Sequence, residues 1–458
     1  MAMAKETIPT KHKADDDHSQ TEAKRKKEEG PEGEFSVSIT QEIQNTIEQH
    51  VEPEPKLHVG QEIPADDAIQ EVEATEKEAN LESSVKKKQP ASATPLDIAL
   101  LQEPQVKSLL ESFFLDKLSE DHLTEVYNSF QRTSKGSRFP FLGGIVLRFL
   151  HTVAFYVDEP TMNEGQLSEK VRNRTGRNEI VEIARQNNLD QLIMLLDPRF
   201  TDKSSVRPID LFVSLKAFVG AVSMSQDYLS SAKVSVAVLG PFTTDFTSWE
   251  KIRTRHDETK NRKDSKLTLG RVEDLGDYTK LERKIGYTFN DRLLLEDALS
   301  QARKKVTQQG LVCQRLELLG DALLDLLALE YWLKALPDGK SAELHRLHSA
   351  TVNRGALGVA AIHIQLEQVV HFGGVDVVAD VVKFKEELEA KELEVAESGK
   401  PGGLYWKDLK VRKLLANAYE SLLGGVYVDS ELCLDTARAF FNKTLGPILD
   451  EHVVGTSN

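Results

Sequence analysis

The 458-residue sequence has only two cysteines, Cys313 and Cys433. Two thiols cannot build a disulfide framework or a zinc site, so both read as reduced thiols of an intracellular protein. Long apolar runs are also missing. Those present, such as residues 322–329, fall short of the roughly 20 residues a bilayer requires, so no membrane partner is expected. The opening MAMAKETIPTKHKADDDHSQ has no apolar signal core, and its acidic side chains are unlike an organelle transit segment. Positive charge is scarce: 58 Lys and Arg stand against 73 Asp and Glu, a formal net charge of −15. Any face that binds nucleic acid must therefore concentrate its cations locally. No segment shows sustained period-two alternation, which leaves an all-α fold class as the expectation.

The remaining pattern divides the chain into four parts. Residues 1–95 hold 21 acidic and 12 basic side chains, so about −9 of the charge sits there. With few aromatics, this stretch cannot bury enough apolar surface to offset its ordering entropy, and it reads as a disordered acidic tail. Its clusters AKRKKEE (23–29) and VKKKQP (85–90) read first as solvated charge runs. The functional alternative is a nuclear address or an RNA-touching arm, which leaves the compartment as nucleus or cytoplasm. Residues 96–240 turn apolar with helical spacing, as in Leu109, Leu110, Phe113, Phe114 and Leu118. Residues 241–277 form a charged linker, whose KIRTRHDETKNRKDSK carries seven basic and three acidic side chains. Residues 278–454 make a second helical block. Within it, residues 383–406 read as a charged helix ending in a Pro-Gly-Gly turn, inserted between other helices.

The second block carries the chemistry. In QRLELLGDALLD, Glu317 and Asp321 stand four apart and project from one helical face, with Asp325 a turn further on. Like charges at this spacing repel, and more strongly in a low-dielectric cleft. A divalent cation would offset that repulsion. On spacing alone, a solvated acidic stripe is the simpler reading. In VRKLLANAYESLLGGVYVDS, Asn417 and Glu420 share a face three residues apart, and the Gly424-Gly425 pair permits a close helix approach.

Four segments taken in order, LERKIGYTFNDRLLLEDALS, QRLELLGDALLD, LHRLHSATVNRGALGVAAIHIQLEQVVHF and LLANAYESLLGGVYVDS, resemble the ribonuclease III family. They look most like the last ribonuclease III domain of Dicer proteins. The resemblance implies cleavage of double-stranded RNA with Mg²⁺ or Mn²⁺, by a metal-activated water. It places the catalytic positions on Glu317, Asp321, Asn417 and Glu420, with Glu317, Asp321 and Glu420 as metal ligands. Asn417 stands where the family has Asp. An amide keeps a carbonyl oxygen but brings no charge and adds an NH₂, so metal affinity should fall. Two further acidic positions of the family fall on Gln314 and Ser341.

The first block reads as a degenerate copy. RFPFLGGIVLRFLHTVAFY mirrors the Glu317 segment and VRPIDLFVSLKAFVGAV mirrors the Asn417 segment. At the acidic positions, Pro140 stands for Glu317, Gly144 for Asp321, Arg148 for Asp325, Val213 for Asn417 and Lys216 for Glu420. Glu164, Glu169 and Glu179 read as surface acids. By resemblance, the two ribonuclease III-type domains should pack as an intramolecular pseudo-dimer around duplex RNA. No double-stranded-RNA-binding segment is visible after the second block. Three functions stay open. One is a ribonuclease III-type endonuclease with at most one weakened centre, in the second domain. Another is a catalytically inactive scaffold for double-stranded or structured RNA, helped by an RNA-binding partner protein. The last is a protein-interaction module.

Overall fold

The computed structural model describes residues 98–112, scattered positions between 119 and 127, 138–224 except 198, 277–301, and 308–450 except 373–374, 399–403, 410 and 412. The expected acidic tail and nearly all of the charged linker lie outside the described residues. Among the described residues, all regular structure is helical, which agrees with the all-α expectation.

The first half comprises α1 (Pro104–Ser112), α2 (Phe139–Asp158), α3 (Glu164–Thr175), α4 (Arg177–Gln186), α5 (Leu189–Leu196) and α6 (Pro208–Met224). The second comprises α7 (Thr279–Ile285), α8 (Arg292–Leu299), α9 (Gln308–Ala335), α10 (Ser341–Thr351), α11 (Arg354–His363), α12 (Val375–Ser398), α13 (Lys413–Asp429) and α14 (Leu434–Thr444). Pro140 sits in the first turn of α2, where a missing N–H costs no helical hydrogen bond. Asn163 caps α3 in a reciprocal box with Gln166. Asp291 caps α8 by accepting from the Leu293 and Leu294 N–H groups.

By length and apolarity, α2 is long enough to cross a membrane, although its sequence holds no uninterrupted apolar run of that size. Its apolar surface is used inside the protein instead: Phe139, Leu142, Val146, Phe149, Leu150 and Val153 are all buried. Such a helix, apolar on most faces, marks the centre of a helical core.

Each half is built around one tight helix crossing. In the second half, a Cβ on Gly320 would stand 1.8 Å from the Glu420 carbonyl oxygen, and one on Gly424 2.2 Å from that of Leu316. In the first half, a Cβ on Gly143 would stand 1.7 Å from the Lys216 oxygen, and one on Gly220 2.2 Å from that of Phe139. Only hydrogen at these four positions lets α9 meet α13, and α2 meet α6, backbone to backbone. Gly425 is different: a Cβ there finds ordinary contacts at 3.4 Å and beyond.

The two central helices, α2 and α9, pack antiparallel, and arginines tie both ends. Arg315 of α9 donates to the carbonyls of Tyr156 (2.6 Å), Glu159 (2.7 Å) and Met162 (2.5 Å) at the end of α2. The Tyr156 carbonyl is among those a helix end leaves without intrahelical partners, Glu159 is the C-cap, and Met162 lies in the connection to α3. Arg138, at the start of α2, donates to the Pro337 carbonyl just past the end of α9. Phe149 of α2 also stacks near Tyr427 of α13, with ring centroids 6.1 Å apart.

Candidate active site

The crossing of α9 with α13 decides where the acidic residues go. Glu317 and Asp321 lie on α9 on either side of the close approach, while Asn417 and Glu420 lie on α13. The Glu420 backbone is itself the surface that Gly320 touches. Helical periodicity puts each pair on one face of its own helix, and the crossing places the two pairs near one another. Glu317, Asp321 and Glu420 are half-buried, while Asn417 is only 8% exposed. Gln314 lies on α9, and Ser341 is the first residue of α10.

The sequence did not announce what sits on the carboxylates. Arg148 of α2 reaches across to α9, and its guanidinium forms ion pairs with both Asp321 and Asp325. One planar cation bridging two carboxylates is strong, directional recognition. Burial works against the charge on Arg148, but the two carboxylates more than compensate and hold its pKa above the ordinary arginine value. Burial also pushes the Asp325 carboxyl above the usual carboxylate range. Arg148 pulls it down and the neighbouring Asp321 adds to the rise. An arginine in this position was legible as a missing acid in its own half. Its reach into the other half was not.

Beside this cluster, His348 of α10 is 4% exposed. Its Nε2 donates to the Asp325 carbonyl oxygen at 3.0 Å, since a carbonyl can only accept. Burial lowers its pKa to about 4, so the imidazole is neutral at pH 7. Phe141 of α2 packs against it edge-on at 5.3 Å and against His345 at 4.8 Å. No signal in the local sequence singled out His348 or Phe141, because their roles exist only where α2, α9 and α10 meet.

Around the first-half crossing stand Pro140, Gly144, Val213 and Lys216. The Lys216 side chain lies over Gly144, whose added Cβ would come 2.6 Å from Lys216 Cε. The Lys216 ammonium stands 4.6 Å from the centroid of the Phe212 ring, a cation–π distance. Glu164 accepts from the Ser168 hydroxyl, and Glu179 pairs with Arg174. Glu164 thus has its partner on its own helix, and Glu179 on the neighbouring α3.

Comparison with known proteins finds likenesses in the second half. Residues 314–431 match the model of the ribonuclease III domain. Over 180 residues it is 30% identical to Endoribonuclease Dicer homolog 2b of Oryza sativa subsp. japonica, covering 39% of this chain and 12% of that protein. Over 171 residues it is 30% identical to Ribonuclease 3 of a Sulfurovum species, covering 37% of this chain and 62% of that protein. Endoribonuclease Dicer of Danio rerio is 27% identical over 196 residues, covering 41% of this chain and 10% of the fish protein. The alignments therefore span about a tenth of each Dicer relative and under two thirds of the bacterial one. The matched ribonuclease III domain contains all of α9 from Gln314 onward, together with α10, α11, α12 and α13.

Metal dependence is general in the ribonuclease III family, but the donor set in this chain does not fit a Mg²⁺ or Mn²⁺ centre. Asp321 already faces a guanidinium, which would repel a divalent cation. Asn417 supplies no charge and is buried. Among the described residues, no group of three or more His, Cys, Asp and Glu side chains is gathered so as to hold a metal ion.

Proposed function

We propose that this chain is a ribonuclease III-like protein that holds double-stranded or structured RNA without cutting it, its two helical halves pairing as a pseudo-dimer within one chain. In this reading residues 96–240 are a degenerate ribonuclease III-type domain and residues 278–454 the better preserved one. Support for the pairing comes from the matching construction of the halves. Arg138, Phe139 and Gly143 have the same spacing as Arg315, Leu316 and Gly320, and they make matching contacts. The same holds for Lys216 and Gly220 beside Glu420 and Gly424. Reciprocal contacts of this kind define an isologous interface.

The observation that carries the inactive reading is the double ion pair from Arg148 to Asp321 and Asp325. Within it, Asp321 serves as the anchor of an interface rather than as a metal ligand. Asn417 removes a further charge from the same crossing. A second reading keeps a specific observation in its favour: Glu317, Asp321 and Glu420 all persist around one crossing. That reading is a weakened, Mg²⁺-dependent endonuclease that nicks one strand. In either case the net charge of −15 is poorly suited to phosphate contacts, so a basic RNA-binding partner protein would supply what the chain lacks.

The test uses a long RNA duplex with each strand end-labelled separately, in the presence of Mg²⁺. The wild type should shift the duplex in a binding assay and leave both strands whole. An Arg148→Ala/Asn417→Asp double variant, which frees Asp321 and restores a carboxylate, should gain Mg²⁺-dependent cleavage above the wild-type background. Wild-type nicking that disappears in Glu317→Gln would overturn the inactive reading and establish the weakened enzyme. Neither binding nor cleavage by any variant would leave the protein-interaction module.

A further inference from the structure

When two like helices pack antiparallel about a twofold axis, a residue at the axis meets its own counterpart. The α2–α9 contact shows this arrangement at its ends, where Arg138 and Arg315 reach carbonyls beyond the far end of the opposite helix. The middle of the contact is held by Arg148 and Asp325. Each stands five residues after the glycine of its own crossing, Gly143 or Gly320, so the two are counterparts. They meet each other directly, with Asp321 as a second acceptor for the same guanidinium. The side chains are 25% and 16% exposed, so most of their charge is withdrawn from water.

We propose that Arg148 and Asp325, with Asp321, form an on-axis charge code that makes α2 and α9 choose one another and rejects pairing of like with like. Two copies of α9 packed on this face would bring Asp325 against Asp325, with both Asp321 carboxylates beside them. Two copies of α2 would bring Arg148 against Arg148. Partly buried like charges oppose association, and specificity comes from such repulsion as much as from attraction. The surface of α9 that faces α2 is thus an interface that fits an α2 and not a second α9, and here the α2 comes from the other half of the same chain. The α9 of a second copy is excluded from it. The chain therefore needs no partner chain to complete its domain pair. This inference rests on the paired reading of the two halves and adds the residues that enforce it.

The full chain provides the test. Arg148→Asp places three acids at the axis and should lower the thermal midpoint by roughly 5 °C or more. Asp325→Arg alone should lower it as well, and the Arg148→Asp/Asp325→Arg swap should recover most of the loss. The two single variants should stay monomeric apart, and when mixed should yield a 1:1 complex of doubled mass by light scattering. In that complex each α2 finds an oppositely charged α9 on the other chain. A swap no more stable than the singles, or no complex on mixing, overturns the code. Arg315→Ala separates this failure from that of the pairing itself. If Arg315→Ala destabilises while Arg148→Asp does not, the halves pair but Arg148 does not instruct them. If neither variant changes the melting, the pairing reading fails too.

Discussion

The crossing of α2 with α6 and the crossing of α9 with α13 share one backbone geometry and carry opposite chemistry. Gly143 and Gly220 do in the first what Gly320 and Gly424 do in the second, with added-Cβ distances agreeing within 0.1 Å (1.7 and 1.8 Å; 2.2 Å for both partners). Around the second crossing stand Glu317, Asp321, Asp325 and Glu420. At the matching places of the first stand Pro140, Gly144, Arg148 and Lys216. Both sides meet a packing requirement that only hydrogen can meet, while the side chains that project from the frame lack charge at Pro140 and Gly144 and carry the opposite sign at Arg148 and Lys216. Two carboxylates at one end of this comparison then became the receptor for an arginine at the other.

The most severe way to break the likeness is at the glycines. Gly143→Ala and Gly320→Ala each drive a methyl into a backbone carbonyl of the facing helix. Each should cost about 3–5 kcal/mol or prevent folding altogether, as read by urea unfolding. Similar losses at both sites would confirm that the crossings are equivalent, and a loss at only one would separate them. Gly425→Ala is the contrast on the same helix. Its Cβ meets only ordinary contacts, and the gain in helix propensity should leave stability within about 1 kcal/mol of the wild type.

A smaller effect should distinguish the ends of the central contact. Arg315→Ala strips three part-buried hydrogen bonds from the end of α2 and the connection after it and should cost about 2–4 kcal/mol, since the Tyr156 and Met162 carbonyls lose this donor while the Glu159 carbonyl keeps the Met162 N–H. Arg138→Ala removes an exposed bond to Pro337 and should cost about 1 kcal/mol or less. Equal costs would show that exposure does not separate the two ends.

A further contrast concerns pH. Burial of His348 favours its neutral form, with a pKa near 4 against the usual 6.5. The unfolded chain therefore takes up this proton first. The stability tied to neutral His348 is complete above about pH 6.5 and is lost as pH falls towards 4, by roughly 3 kcal/mol at most. His348→Gln keeps a donor for the Asp325 carbonyl and removes the titration. Denaturant midpoints of this variant should fall less steeply than those of the wild type between pH 7 and 5. Parallel curves would remove His348 from the account of acid stability.

Much of the site was legible one helix at a time. The four-residue step from Glu317 to Asp321 and the three-residue step from Asn417 to Glu420 placed each pair on one face, because the helix repeat is local. The glycine pair before Val426 signalled a close approach, and the structure assigns that approach to Gly424 alone. The charged stretch at 383–406 contained a helix, and α12 extends it back to Val375. The contacts of Arg148, Arg315, Arg138 and His348 were not legible. Each joins elements far apart in the chain, and no periodicity within one segment encodes which remote side chain fills a given gap.

By itself, the sequence determined that this protein is helical, that its second half carries a ribonuclease III pattern, and that Asn417 interrupts the acidic set. These follow from short-range spacing and side-chain chemistry, which operate before any tertiary contact forms. Tertiary structure alone decided what Asp321 and Asp325 face. A carboxylate on a helix can wait for a metal, for water or for a cation of the protein, and the packing of α2 against α9 delivers Arg148. Charge at short range in a partly buried interface outweighs what either segment shows alone, and that outcome exists only once the two halves meet.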